Sequence, residues 1–168
     1  KEPVMQIIAT ILGGGMSSRL FQKMREELGI CYYAKVADNA FSDHGFLEAF
    51  AGVDNKRLIE AIEAILGEFR NLKDAPLSAA ELQKAKDYFA GTMYLGLESS
   101  DSLAEFYGGQ EIFKKVIKNP DQVAEEIRKV TASDVQKLAK EIFQNKNLNL
   151  AIVGPVTDTK TLEKILKI

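Results

Sequence analysis

Histidine and cysteine are nearly absent: the 168 residues hold one of each, His44 and Cys31. A lone cysteine cannot close a disulfide within the chain. It fits a reducing compartment, so a cytoplasmic location is expected. A catalytic zinc site draws on about three protein ligands, usually with two or more histidines. One histidine and one cysteine, far from any acidic cluster, therefore exclude a self-contained zinc site. Long apolar runs are missing too. None approaches the roughly 20 residues that span a bilayer, and no secretory signal pattern opens the sequence. Nor is there a basic excess, since the net charge is -2. Without a broad basic surface, nucleic acid and anionic membranes are poor candidates for partners.

What is present is a soluble globular composition, 46% hydrophobic and 27% charged, at a length that suits one domain with a core. We expect residues 1–168 to form that single domain. The sequence begins at Lys1 and is apolar already by Val4. That start suggests the interior of a longer protein, cut at its N-terminal end.

Val4 to Leu12 is continuous and apolar, and reads as a buried helix or a strand until Gly13-Gly14-Gly15 stops it. Ser17 or Ser18 can cap a helix through Leu28, with Leu20, Phe21, Met24 and Leu28 on one face. Gly29 suits its left-handed terminator. Ile30 to Asp38 and His44 to Val53 read as strands joined by a polar turn at Asn39 to Asp43, an antiparallel pair. From Asp54 the period becomes helical, with Leu58, Ile62, Ile65, Leu66 and Phe69 on one face. Ser78 and Glu81 have capping-box spacing before a long helix to about Leu97. Ser100 or Asp101 should cap the next helix, which Gly108-Gly109 weakens. Helices follow from Asn119-Pro120 and from Thr131. Asn147 to Val153 alternates and reads as a strand, and Thr159 to Ile168 closes as a helix. Strands and helices without βαβ alternation argue for α+β, an antiparallel sheet covered on one face by helices.

The stretch GGGMSSRLF at Gly13 to Phe21 raises the question of a phosphate cradle. It fits neither G-x-G-x-x-G nor G-x-x-x-x-G-K-[ST]. A helix-helix corner, where glycines allow close approach and positive φ, is the better reading.

The same residues carry a resemblance. Gly13 to Phe21, followed by Arg25-Glu26-x-x-Gly29-Ile30-x-Tyr32, resembles the signature GGG-M-S-S-R-L-F and R-E-x-x-G-L-x-Y of the pitrilysin and insulinase family of zinc peptidases. The likeness is to the bacterial and mitochondrial-processing-peptidase branch, at the start of the C-terminal half. It implies one half of an α+β clamshell. The other half, in the same chain or a partner subunit, would carry zinc on an inverted H-x-x-E-H motif. This half would hold no metal. Its partners would be the zinc-bearing half and a peptide substrate, and a homodimer is also open. The family's substrate-contacting arginine and tyrosine carry over to Arg25 and Tyr32, with Tyr32 also the catalytic candidate.

On the residues alone, both have simpler uses. An arginine near a helix C-terminus neutralises the dipole or pairs with an acid. A strand tyrosine usually packs, and Tyr32 shares parity with Ile30, Ala34 and Val36. Tyr33 stands beside it on the opposite parity. Arg19 is expected to support the glycine corner or to pair with Glu26 or Glu27, His44 to lie at a strand edge or in a turn, and Cys31 to pack. Two other functions stay open: a non-catalytic scaffold or subunit relative, and an unrelated α+β binding module.

Overall fold

The computed structural model describes residues 1–168. The apolar opening is a helix, α1 (Glu2–Gly13), with Pro3 in its first turn where a missing donor costs nothing. Ile7, Ile8 and Leu12 have no exposed surface. Apart from a stripe of Glu2, Gln6 and Thr10, α1 is apolar around its circumference and packs in the main core.

A wide helix, α2 (Phe21–Glu27), precedes the hairpin of β1 (Cys31–Ala40) and β2 (Gly45–Val53). The strands pair antiparallel from Ala40↔Gly45 to Cys31↔Val53, and the Phe41 N–H donates to the His44 carbonyl at 2.8 Å across the turn. Ala34, Val36, Leu47, Ala49 and Ala51 face the helices. Tyr33, Lys35, Phe46, Glu48 and Phe50 lie on the opposite, open face. The remaining helices are α3 (Leu58–Asp74), α4 (Ala79–Gly96), α5 (Ser100–Phe113), α6 (Pro120–Lys129), α7 (Ala132–Ile142) and α8 (Thr159–Ile165). The apolar faces of α3, α4, α6, α7 and α8 meet α1 in one cluster, where Phe69 of α3 and Phe143 after α7 stack with centroids 4.4 Å apart. The fold is α+β, with an antiparallel sheet covered on one face by helices.

Several local expectations need correction. Asn147 to Val153 forms no strand: Asn147 closes a short 3-10 turn (Asn145–Asn147), residues 148–153 pair with nothing, and the sheet has two strands. Leu148 and Ile152 anchor that segment on the core, yet no strand of residues 1–168 lies alongside to take its backbone bonds. Helix α5 runs unbroken through Gly108-Gly109. Its cap is Ser99, not Ser100 or Asp101, because the Ser99 hydroxyl accepts from the Ser102 N–H at 3.0 Å. Neither Ser17 nor Ser18 caps α2. The Ser18 hydroxyl donates to the Gly15 carbonyl at 2.6 Å and tightens the glycine loop instead.

Candidate functional site

Between α1 and β1 the chain turns through the triple glycine, and the turn packs against its neighbours at contact distance. A Cβ on Gly13 would stand 2.1 Å from the Val36 nitrogen and 2.7 Å from the Lys35 carbonyl carbon. Helix α1 therefore meets β1 backbone to backbone, which no other residue permits.

From this corner Arg19 reaches to α4. Its Nε and Nη2 donate to the two oxygens of Glu81 at 2.7 and 2.9 Å, and Glu68 of α3 lies 3.8 Å from Nη1. The bond to Glu81 holds the Arg19 guanidinium above its ordinary pKa, against the opposing effect of burial. Glu26 and Glu27, the partners expected from sequence, are not used. The same link leaves only half a capping box at α4. The Glu81 N–H still donates to the Ser78 hydroxyl at 3.1 Å, but the Glu81 carboxylate is spent on Arg19.

Helix α2 is wound as a π-helix: the Leu28 N–H bonds the Lys23 carbonyl five residues back at 3.1 Å, and Ile30 bonds Met24 at 2.8 Å. Such widened turns recur at functional sites. Gly29 then takes φ +61°, the left-handed conformation expected of it. Arg57, just before α3, donates to the Leu28 carbonyl at 2.8 Å and forks onto Glu60 at 2.7 Å on both arms. It satisfies a carbonyl that a helix end leaves free. Nothing in the spacing of the sequence announces this bond, which spans 29 positions. Beneath the corner, Leu20, Met24, Ile30, Ala34 and Ala61 form a second small core.

The parity argument against Tyr32 fails at a bulge. The register slips between Cys31 and Tyr33, so Tyr32 is the extra residue and faces no partner. Its side chain is released from the apolar face and is 86% exposed. The Arg25 guanidinium donates to the Tyr32 carbonyl and lies 5.8 Å from the Phe21 ring centre. The structure thus brings Arg25 to the backbone of Tyr32, with the phenol left open. Arg25 is exposed and makes no ion pair.

Cys31 packs at the edge of the corner. Burial raises its thiol pKa, and the charge of Arg25 offsets part of that rise. His44 sits in the hairpin turn, its Nδ1 2.7 Å from Asp43. No three His, Cys, Asp or Glu side chains converge as metal ligands would. No helix is long and apolar enough to cross a membrane.

Known proteins share both sequence and fold with this chain. An uncharacterized zinc protease of Mycobacterium leprae is 32% identical over 164 residues, 98% of this chain and 37% of that protein. The uncharacterized zinc protease YmxG of Bacillus subtilis is 30% identical over 149 residues, 89% of this chain and 36% of that protein. The chain thus spans little more than a third of the length of these relatives. Among solved structures, a peptidase M16 inactive domain from Pseudomonas fluorescens superimposes with TM-score 0.73 at 16% identity, over 83% of this chain and 34% of that one. A chain of complex III2 from Candida albicans gives 0.74 at 18%, over 83% and 36%. The family described as peptidase M16 inactive domain matches residues 1–89. That span holds the glycine corner, the Arg25–Tyr32 segment and the whole hairpin, and it exceeds half of the 168 residues. A chance likeness to an unrelated binding module is thereby set aside, and the protein belongs to the family of peptidase M16 inactive domains, on the C-terminal side of the zinc peptidases that its sequence resembles.

Proposed function

We propose that this chain is the substrate-clamping half of a zinc-dependent endopeptidase, working opposite a zinc-bearing half in the same chain or a partner subunit. The observation that supports this most is the pairing at the bulge: a guanidinium tied to the Tyr32 carbonyl beside a phenol with nothing packed over it. A guanidinium has five donors. One bond to Tyr32 fixes its plane and leaves others to take substrate carbonyls in a set orientation. The Tyr32 hydroxyl would donate to the carbonyl oxygen of the scissile peptide as negative charge grows there. A donor aimed at that oxygen stabilises the transition state more than the ground state, by about 3 kcal/mol. The bond would be cut in the zinc-bearing half, and this chain alone would not hydrolyse peptides. A cytoplasmic setting belongs to the same reading, as does self-association into a homodimer.

The test is Tyr32→Phe in the complete enzyme. Turnover should fall about 100-fold with little change in peptide affinity. Unchanged turnover would remove Tyr32 from the mechanism.

A second reading is a non-catalytic subunit of the same fold. The likeness to a chain of complex III2 favours keeping it. An H-x-x-E-H motif in the partner half supports the peptidase, and a partner half without that motif supports the scaffold.

A further inference from the structure

The open face of the hairpin begins one residue beyond the Arg25–Tyr32 contact, and it is not a featureless sheet surface. Tyr33 stands opposite Gly52. A Cβ on Gly52 would fall 2.7 Å from Tyr33 Cε1 and 3.2 Å from Cζ. The Tyr33 ring is therefore laid across the strand pair, over Gly52, which has no side chain to lift it. Phe50, two residues back on β2 and on the same face, meets that ring edge to face, with centroids 6.4 Å apart and planes at 61°. Both rings stay open, Tyr33 at 48% and Phe50 at 40%. Lys35 stands opposite Phe50, and Glu48 follows on the same face; neither makes an ion pair. Opposite charges beside the rings give no net preference for sign, so selection falls to the rings.

We propose that Tyr33 and Phe50, with Gly52 as the floor, form a subsite for one aromatic or large aliphatic side chain of a bound peptide. The occupant follows from position. Tyr33 shares the 32–33 peptide unit whose carbonyl Arg25 holds. A peptide backbone gripped at Arg25 advances about 3.3 Å per residue. A side chain one or two residues from the gripped carbonyl therefore reaches the ring pair. Two rings at an angle offer one face and one edge, the geometry in which a third apolar group adds edge and stacking contacts. This subsite rests on the substrate-clamping reading and specifies what that clamp selects.

The experiment uses the complete protein, this chain with its zinc-bearing half, stripped of metal by chelation so that nothing is cut. The probes are fluorescein-labelled Gly-Ser decapeptides carrying a single Phe at each position in turn, and binding is read by fluorescence anisotropy. Wild type should favour Phe at one or two adjacent positions by about five- to tenfold over the Phe-free peptide. Phe50→Ala and Tyr33→Ala should each abolish that preference while leaving the affinity of the Phe-free peptide unchanged. Tyr33→Phe should keep it, because the ring and not the hydroxyl forms the platform. A positional preference that survives both alanine variants, or the lack of any preference in wild type, overturns the subsite. Loss of peptide binding that is equal at every position overturns it as well. The clamp is tested apart from the subsite: Arg25→Ala should weaken the Phe-free peptide, and an unaltered affinity there sinks the clamp whatever the rings do. If no peptide binds wild type at all, both fall.

Discussion

Arg25 and Tyr32 meet through the backbone: the guanidinium donates to the tyrosine's carbonyl oxygen, and the phenol stays open to solvent. The contact closes a loop of seven positions over a π-helix and a left-handed glycine. It places a helix-borne cation against the backbone of a strand-borne tyrosine, the arrangement on which the proposed clamp rests.

From this relation follows an expectation for Arg25→Ala. Hydrogen bonds to a charged group contribute about 1.5–3 kcal/mol each. Removing the guanidinium should therefore weaken peptide binding by about 10- to 100-fold, with the loss concentrated in affinity. Arg25→Lys should recover little of it, since an ammonium spent on the Tyr32 carbonyl has no planar fork left for the peptide. Calorimetric titration of an inactivated complete enzyme would measure both. Full recovery in the lysine variant would show that charge alone suffices.

Gly29 supports the same corner by a different means. Nothing lies within 4 Å of a Cβ placed there, so the sole demand is its φ of +61°. Gly29→Ala should cost about 1–2 kcal/mol, and Gly29→Asn less, because asparagine tolerates this conformation better. Denaturant unfolding of the three proteins gives the order. Equal costs for alanine and asparagine would point to packing rather than backbone conformation.

How much of this was legible in the residues depends on distance along the chain. Local signals read well: Gly29 as a terminator, the Asn119 and Thr131 helix starts, the hairpin, and the apolar face of α3. The pairing of Arg25 with Tyr32 rested on a motif resemblance, not on pattern. What stayed hidden was set by tertiary partners. The bulge that frees Tyr32 leaves the alternation of the sequence intact and alters only the pairing. Arg19 chose Glu81, 62 positions away, over nearby acids. Asn147 to Val153 has the alternation of a strand, but hydrogen bonding needs a neighbour, and no neighbour is placed beside it.

The Arg19–Glu81 link makes its own prediction. Both partners are largely withdrawn from water, with side chains 19% and 33% exposed, and the contact is bidentate. Such charge-assisted pairs are roughly twice as strong as neutral ones. A double-mutant cycle of Arg19→Met and Glu81→Gln should give a coupling energy of about 1–3 kcal/mol. The single Arg19→Met change should be the costlier one, since it also leaves Glu68 without its cation. A coupling near zero would mean that the corner stands on glycine packing alone.

Asp38 offers a test of pH dependence away from the site. It lies on the helix-facing side of β1 opposite Leu47. Burial raises its pKa above the ordinary carboxylate value. Glu2 adds to the rise, while a hydrogen bond from its own backbone N–H and the charge of Lys114 oppose it. With the folded pKa above the unfolded one, the folded state binds the proton more readily between the two values. Stability is then lost as pH climbs from the unfolded carboxylate pKa, about 3.9, through the raised folded value, and the loss persists above it. Asp38→Asn removes the cost of holding a charge there. It should raise the melting temperature at pH 7, and that gain should shrink as pH falls and disappear below the unfolded pKa. Thermal unfolding of both proteins by circular dichroism across this range measures the difference, in which the titration of all other groups cancels. A gain that is the same at pH 7 and at the acid end would assign the effect to shape or to hydrogen bonding rather than to the buried charge.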